Sequence, residues 1–319
     1  MRGLMETQSM NKDSFSLRSR LADGGTPALN YWGVDSETGK LLDVLVGPID
    51  NFKAILPTNS MNKKMIRDGI RLDVEGARSQ YQDVLDCYRD FGATIHITPP
   101  DRYLPLQIWA RDGSYMTPWG MIIGQMAQWW RRGEYGPVMD FCAQQNIPIY
   151  EKVTAGCAEG GDFMMIRPDL AVMGYAGDRS QEEGALQVKD WLNKEGVEVF
   201  LYSFDSHFVH ADVTIVMLTD NLAAAVTDVV DPVLIALLKS RGIRVIDVPY
   251  CKAMQLGCNV MSMGNDTVLL PKQNQFLVEA CKAEGLKVYD PDVSCITVVG
   301  GGIHCMSLAL RRERFGNGG

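Results

Sequence analysis

Near its C-terminal end the chain reads VVGGGIHCMSLALRRER (298–314), with a cysteine three residues after the last of three consecutive glycines. Free cysteine is among the most buried residue types, so one reading of Cys305 is a core thiol. The other is a nucleophile, with Gly300, Gly301 and Gly302 leaving room for a flat substrate against the backbone. Three further segments carry groups that such a nucleophile would need. WARDGS (109–114) holds Asp112, EGGDF (159–163) holds Glu159 and Asp162, and HAD (210–212) holds His210 and Asp212. Asp112 follows Arg111 and could form a simple ion pair with it. Asp212 stands in an apolar run, where a charge without a partner is costly. His207 and His210 share the loop FDSHFVHAD, and spacing does not choose between them as a proton carrier.

Other chemistries find less support. The eight cysteines form no CxxC pair and no Cys/His zinc spacing, and His210 with Asp212 is a ligand-like pair lacking a third partner in sequence. No metal and no cofactor are therefore expected. The seven cysteines other than Cys305 read as core residues, and His96, in a strand-like run, as structural. His304 projects away from Cys305 if that segment is extended. A net charge of −8 and the lack of a Lys/Arg-rich run argue against nucleic acid; Arg131-Arg132 and Arg311-Arg312-Arg314 are short. No apolar run approaches the roughly 20 residues of a membrane span. The polar start MRGLMETQSMNKD lacks a signal peptide's apolar core. These features point to a cytoplasmic protein without membrane contact, with a flexible arm over residues 1–27. A homo-oligomer stays open.

The elements that must position these residues form a repeat. YRDFGATIHI, CAQQNIPIYEKV, LNKEGVEVFLYSF, LKSRGIRVIDVPY and CKAEGLKVYDPDV each run from a helix end through Gly92, Asn146, Gly196, Gly242 or Gly285 into a β-branched strand. Between them lie LLDVLVGP, GSYMTPWGMIIGQM, GDFMMIRPDLAVMGY, VTIVMLTDNLAAAV and NVMSMGNDTVLLP, the last four reading as hairpins turning at TPWG, RPD, TDN and GND. The unit is strand, strand, helix, strand, used five times. In DPVLIALLKSRG, Asp231 is placed to cap a helix and Pro232 to open it. One such unit cannot bury its own apolar face, so the five should close on one another as a single domain over residues 28–319.

The repeat and the four segments, in this order, resemble the guanidino-group-modifying enzymes: arginine deiminases, agmatine deiminases, dimethylarginine dimethylaminohydrolases and amidinotransferases. The resemblance spans roughly residues 40–313. It implies an α/β fold, the five-bladed α/β propeller (pentein), and a small guanidino-containing substrate. It implies Cys305 as nucleophile, His210 as general acid, and Glu159 as its orienting partner, with no metal. A guanidinium is planar, charged and rich in paired N–H donors, so carboxylates suit it, and Asp112 and Asp212 are the candidates. Asp162 is a further candidate contact, and Arg131, Arg132 and Arg179 are candidates for a distal carboxylate or for the surface. The activity implied is hydrolysis of a guanidino C–N bond in arginine or a similar molecule. Alternatives are amidino transfer to an amine, dimethylarginine hydrolysis, and a non-catalytic binding module. Members acting on unsubstituted guanidinium resemble one another in an Asp two residues after the histidine, as Asp212 is here.

Overall fold

The computed structural model describes residues 31–53, 59–253 and 255–316. The arm expected over residues 1–27 lies outside these. All five predicted turn residues, Gly92, Asn146, Gly196, Gly242 and Gly285, have φ between 55° and 91°, the left-handed conformation that ends a helix. Asp231 caps the helix Pro232–Ser240 by accepting from the Val233 N–H, with the proline in the first turn.

The described strands form five three-stranded sheets. Four begin with the expected hairpins: Ser114–Thr117 with Gly120–Ile123, Phe163–Arg167 with Leu170–Tyr175, Ile215–Thr219 with Leu222–Ala225, and Met261–Gly264 with Thr267–Leu269. A helix then returns the chain to a third strand, parallel to the hairpin's second: Ile149–Lys152, Glu198–Ser203, Arg244–Asp247 and Lys287–Tyr289. A parallel pairing requires such a crossover.

The remaining sheet departs from the repeat. Leu41–Val46 runs parallel to Thr94–Ile97 across the helix Val74–Phe91, but its antiparallel partner is Ser307–Arg312, from the other end of the chain. This blade is assembled from both ends, with Leu41 opposite Arg312 and Val46 opposite Ser307. Pairing Leu41–Val46 on both sides closes the ring and covers an edge otherwise open to other chains.

This architecture gives each blade a corresponding position: the turn just before its antiparallel inner strand. Residues 111–113 precede Ser114, 159–162 precede Phe163, 210–214 precede Ile215, 259–260 precede Met261 and 303–306 precede Ser307. Segments far apart in sequence are thereby brought to one end of the ring axis.

Candidate active site

Cys305 lies on a single helical turn, Ile303–Met306, and is 5% exposed. Its Sγ receives the Asn259 Nδ2–H at 3.1 Å and lies 3.8 Å from Asp212 Oδ2. Asn259 Oδ1 accepts in turn from the backbone N–H groups of His304 and Cys305, at 3.1 and 3.4 Å. Burial pushes the Cys305 thiol well above its ordinary range, and the charges of Asp212 and Asp112 push it further. A thiol in this setting is neutral near pH 7 unless a cation joins it.

A narrow cavity beside the sulfur is lined by Trp109, Asp112, Arg131, Arg179, His210 and Cys305, among others. The glycines line it differently from the expectation. Gly300 and Gly301 do face the cavity, but the space beside the glycine backbone is filled by protein. A Cβ on Gly301 would come within 2.6 Å of the Trp109 ring, and one on Gly302 within 2.4 Å of Asn259 Oδ1. These glycines let Trp109 and Asn259 approach the nucleophile's turn.

His210, not His207, faces Cys305's cavity. His210 Nε2 is 2.9 Å from Glu159 Oε2, and Nδ1 is 3.8 Å from Asp112 Oδ1. Burial opposes a charge on His210, but Asp112, Asp162 and Glu159 outweigh it and raise the imidazole to about 9. Burial likewise opposes the Glu159 charge, yet the hydrogen bond with His210 and the neighbouring Arg179 lower its carboxyl to about 2. They form an imidazolium–carboxylate pair at neutral pH. The backbone delivering His210 is unusual. Val209 has φ 68° and ψ −62°, and the His210 N–H bonds the Phe208 carbonyl at 2.8 Å. That is a γ-turn on a β-branched residue, a strained conformation of the kind found at functional sites. His207 sits on the exposed side of this turn, while His96 pairs with Asp43 at 2.9 Å, as a structural residue would.

The two candidate clamp carboxylates each have one oxygen occupied. Arg131 Nη1 donates to Asp112 Oδ2 at 2.6 Å, and His304 Nδ1 pairs with Asp212 Oδ2 at 2.7 Å. Among the described residues no hydrogen-bond donor reaches Asp112 Oδ1 or Asp212 Oδ1, both buried. Asp212 stands in the turn Ala211–Val213 ahead of its strand, rather than within the strand. Burial works against its charge, but His304 and His210 hold its carboxyl below the usual range.

Several expectations need correction. Asp162 does not line the cavity. Its oxygens accept from Ser180 Oγ at 2.5 Å and from the Ala211 N–H at 2.7 Å, and burial raises it to about 7. It pins the turn carrying His210. Arg132 is exposed and bonds the Met126 carbonyl, because the turn Trp129–Glu134 points its neighbour inward instead. That neighbour, Arg131, is buried and held by both Asp112 and Glu134. Arg179, open between the site and the surface in the sequence, lies on the cavity wall 3.6 Å from Glu159. His304 lies on a helical turn rather than in an extended segment, yet it too is turned away from the cavity that Cys305 lines. Sequence spacing gave His210 no third metal partner, yet Asp112, Glu159 and His210 come within 4.8 Å of one another. Arg131 and Arg179 adjoin this group, and their charges disfavour a cation there. Asn259 and Glu37 were missed. Asn259 occupies in the fifth blade the position that the other four motifs occupy in theirs, a signal available in the repeat.

A five-bladed α/β ring with a cysteine, a histidine–glutamate pair and two aspartates at one end of its axis defines a guanidino-group-modifying pentein. Residues 53–312 match the family described as N,N dimethylarginine dimethylhydrolase, eukaryotic, and the chain belongs to that family. It is 23% identical over 277 residues to the YkgA protein of Bacillus subtilis, covering 87% of this chain and 94% of that one. It is 25% identical to the N(G),N(G)-dimethylarginine dimethylaminohydrolase of Pseudomonas aeruginosa, covering 74% and 89%. A solved structure of a cysteine-to-serine mutant of DDAH from Pseudomonas aeruginosa, in complex with citrulline, superposes at TM-score 0.71 and 20% identity, covering 84% of this chain and 99% of that one. The N-terminal domain of ArgZ, a cyanobacterial arginine dihydrolase bound to product, superposes at 0.75 and 18%, covering 86% and 98%. No helix among the described residues is long and apolar enough to cross a membrane.

Proposed function

We propose that this protein hydrolyses a C–N bond of an unsubstituted guanidinium, in arginine or an arginine-like small molecule, through a covalent amidino-cysteine. The observation carrying this reading is a pair of buried aspartate oxygens without donors: Oδ1 of Asp112, on the wall of Cys305's cavity, and Oδ1 of Asp212, whose Oδ2 lies 3.8 Å from the sulfur. A guanidinium seated between them gives both oxygens N–H donors and supplies a positive charge beside the sulfur. The carboxylates that hold the thiol neutral are thereby offset, and the thiol gives up its proton to solvent as substrate binds, His210 being already protonated. The thiolate adds to the guanidinium carbon, and His210 protonates the departing nitrogen. Water then attacks the amidino-cysteine, His210 takes its proton, and the C–S bond breaks to release a ureido product. Arg179 lines the cavity, and its buried Nη1, 3.6 Å from Glu159 Oε2, makes no hydrogen bond, which suits a carboxylate at the substrate's far end. Incubating the protein with a panel of guanidino compounds and detecting ammonia, methylamines and ureido products tests the reading. Release of none of these would overturn it.

Family membership favours a second reading, hydrolysis of dimethylarginine. The two separate at Asp212. A nitrogen bearing two methyl groups has no N–H for Asp212 Oδ1, and a buried charged acceptor without its bond costs about 1–3 kcal/mol or more. The unsubstituted compound should therefore be preferred by at least about tenfold in kcat/KM. Asp212→Ala should damage turnover of that compound far more than turnover of its dimethyl form. Faster turnover of the dimethyl compound by the unmodified protein would favour the second reading.

The pH dependence follows from the same groups. The reacting form needs a thiolate and an imidazolium, but the free protein holds a neutral thiol and an imidazolium whose pKa is about 9. One proton must leave that form, so kcat/KM should rise about tenfold per pH unit from pH 6 and bend near pH 9. In kcat the rise should come at lower pH, since the bound guanidinium has already favoured the thiolate. A kcat/KM flat from pH 6 to 8 would mean that the thiol is ionised without substrate.

A further inference from the structure

His304 does something that neither its neighbour's chemistry nor the family comparisons assign. It shares the helical turn Ile303–Met306 with Cys305 but faces away from the cavity, into a buried line of polar groups along the ring axis. On one side its Nδ1 meets Asp212 Oδ2 at 2.7 Å. On the other its Nε2 lies 3.7 Å from Glu37 Oε2. Glu37 is itself fixed, since Arg111 Nη2 donates to its Oε1 at 2.8 Å and also to the Phe163 carbonyl. The Arg111 backbone N–H returns to the Cys305 carbonyl at 3.1 Å. The imidazole is thus clamped between two carboxylates in a closed circuit passing through the nucleophile's own turn.

We infer that His304 is a positioning and specificity-determining residue, which holds Asp212 by Oδ2 so that Oδ1 faces the guanidinium nitrogen. The inference rests on the reading of Asp212 as a guanidinium clamp. A carboxylate has two equivalent oxygens and can rotate about its Cβ–Cγ bond; a single strong donor on one oxygen removes that freedom and aims the other. Because the donor and Cys305 are adjacent residues on one turn, the clamp and the sulfur keep a fixed spacing. Asn259 Oδ1, bonding both their backbone N–H groups, reinforces this.

The test compares His304→Leu with His304→Asn, whose amide nitrogen can occupy the place of the imidazole Nδ1. His304→Leu should lower kcat/KM for the unsubstituted guanidino compound at least about tenfold, mainly through KM, and bring its preference over the dimethyl form close to one. His304→Asn should restore most of that preference. In the His304→Leu background, Asp212→Ala should add less than about threefold, because the two residues act as a unit. Alkylation of Cys305 by iodoacetamide should be little changed in either variant, which a general collapse of the turn would not allow. A His304→Leu protein with unaltered preference, or fully additive effects with Asp212→Ala, would overturn the inference. If the unmodified protein prefers the dimethyl compound, the clamp reading of Asp212 fails instead, and the two failures are distinguishable. One readout needs no substitution: the chain has four histidines, and ¹⁵N spectra of the unmodified protein should find a proton on His304 Nδ1. A proton on Nε2 alone would overturn the inference.

Discussion

Cys305→Ala should abolish turnover, by on the order of 10⁴-fold or more, while leaving the fold intact. The size of the effect follows from chemistry: without the sulfur there is no atom to form the amidino intermediate, and water would have to attack a resonance-stabilised cation directly. The small effect on the fold follows from packing. The side chain removes little volume when shortened; its polar contacts are Asp212 Oδ2 at 3.8 Å and, closer, the donor Asn259 Nδ2 at 3.1 Å. Leaving that donor unsatisfied costs about 1–3 kcal/mol, enough to lower Tm by several degrees and too little to unfold a chain of 319 residues. Cys305→Ser should be equally inactive and closer to the parent in stability, because its hydroxyl still reaches Asn259. Intact-mass analysis of the unmodified protein after acid quench should find the adduct on Cys305 and on none of the other cysteines. Substantial turnover by Cys305→Ala would rule out the covalent route.

The parts of the site that could be read in the sequence are those where a motif falls at a repeat position. WARDGS, EGGDF, HAD and GGGIHC each stand just before an inner strand, and the ring brings them to one end of its axis. Glu37 could not be found this way. It lies in a segment before the first strand, outside the repeat, and reaches His304 only because the ring closes the first blade with the last strand. That closure was itself hidden, since a strand pairing across almost the whole chain leaves no local pattern. The backbone around His304 was misread for a local reason: an adjacent pair can part its side chains either in an extended segment or on a helical turn. Three glycines give no means of choosing between them. Arg131 and Arg132 pose the same difficulty, as only the sense of one short turn decides which guanidinium is buried beside Asp112 and which meets water. The γ-turn at Val209 had no signal at all, because nothing in the residue type suits that conformation.

The second large effect belongs to the His210–Glu159 pair. Removing a general acid costs about 10²–10⁴-fold, so His210→Ala should fall in that range, while His207→Ala, on the exposed side of the turn, should leave activity near the parent level. Glu159→Gln should be damaging but milder, because it leaves the imidazole in place and changes its charge balance. Glu159 Oε1 accepts from the Ala127 N–H at 2.9 Å while Oε2 faces His210. A glutamine that keeps the first contact through its oxygen would present its NH₂ to an imidazolium that can only donate. The sign of the pH effect is then fixed. Asp112 and Asp162 still favour the imidazolium, but the Glu159 contribution to raising it to about 9 is gone. The bend in kcat/KM should therefore move below pH 9 in Glu159→Gln, with weaker acid catalysis above it. Since Glu159 acts through His210, His210→Ala with Glu159→Gln should be little worse than His210→Ala alone. Two outcomes would remove His210 from its role: an inactive His207→Ala beside an active His210→Ala, or full additivity between His210 and Glu159.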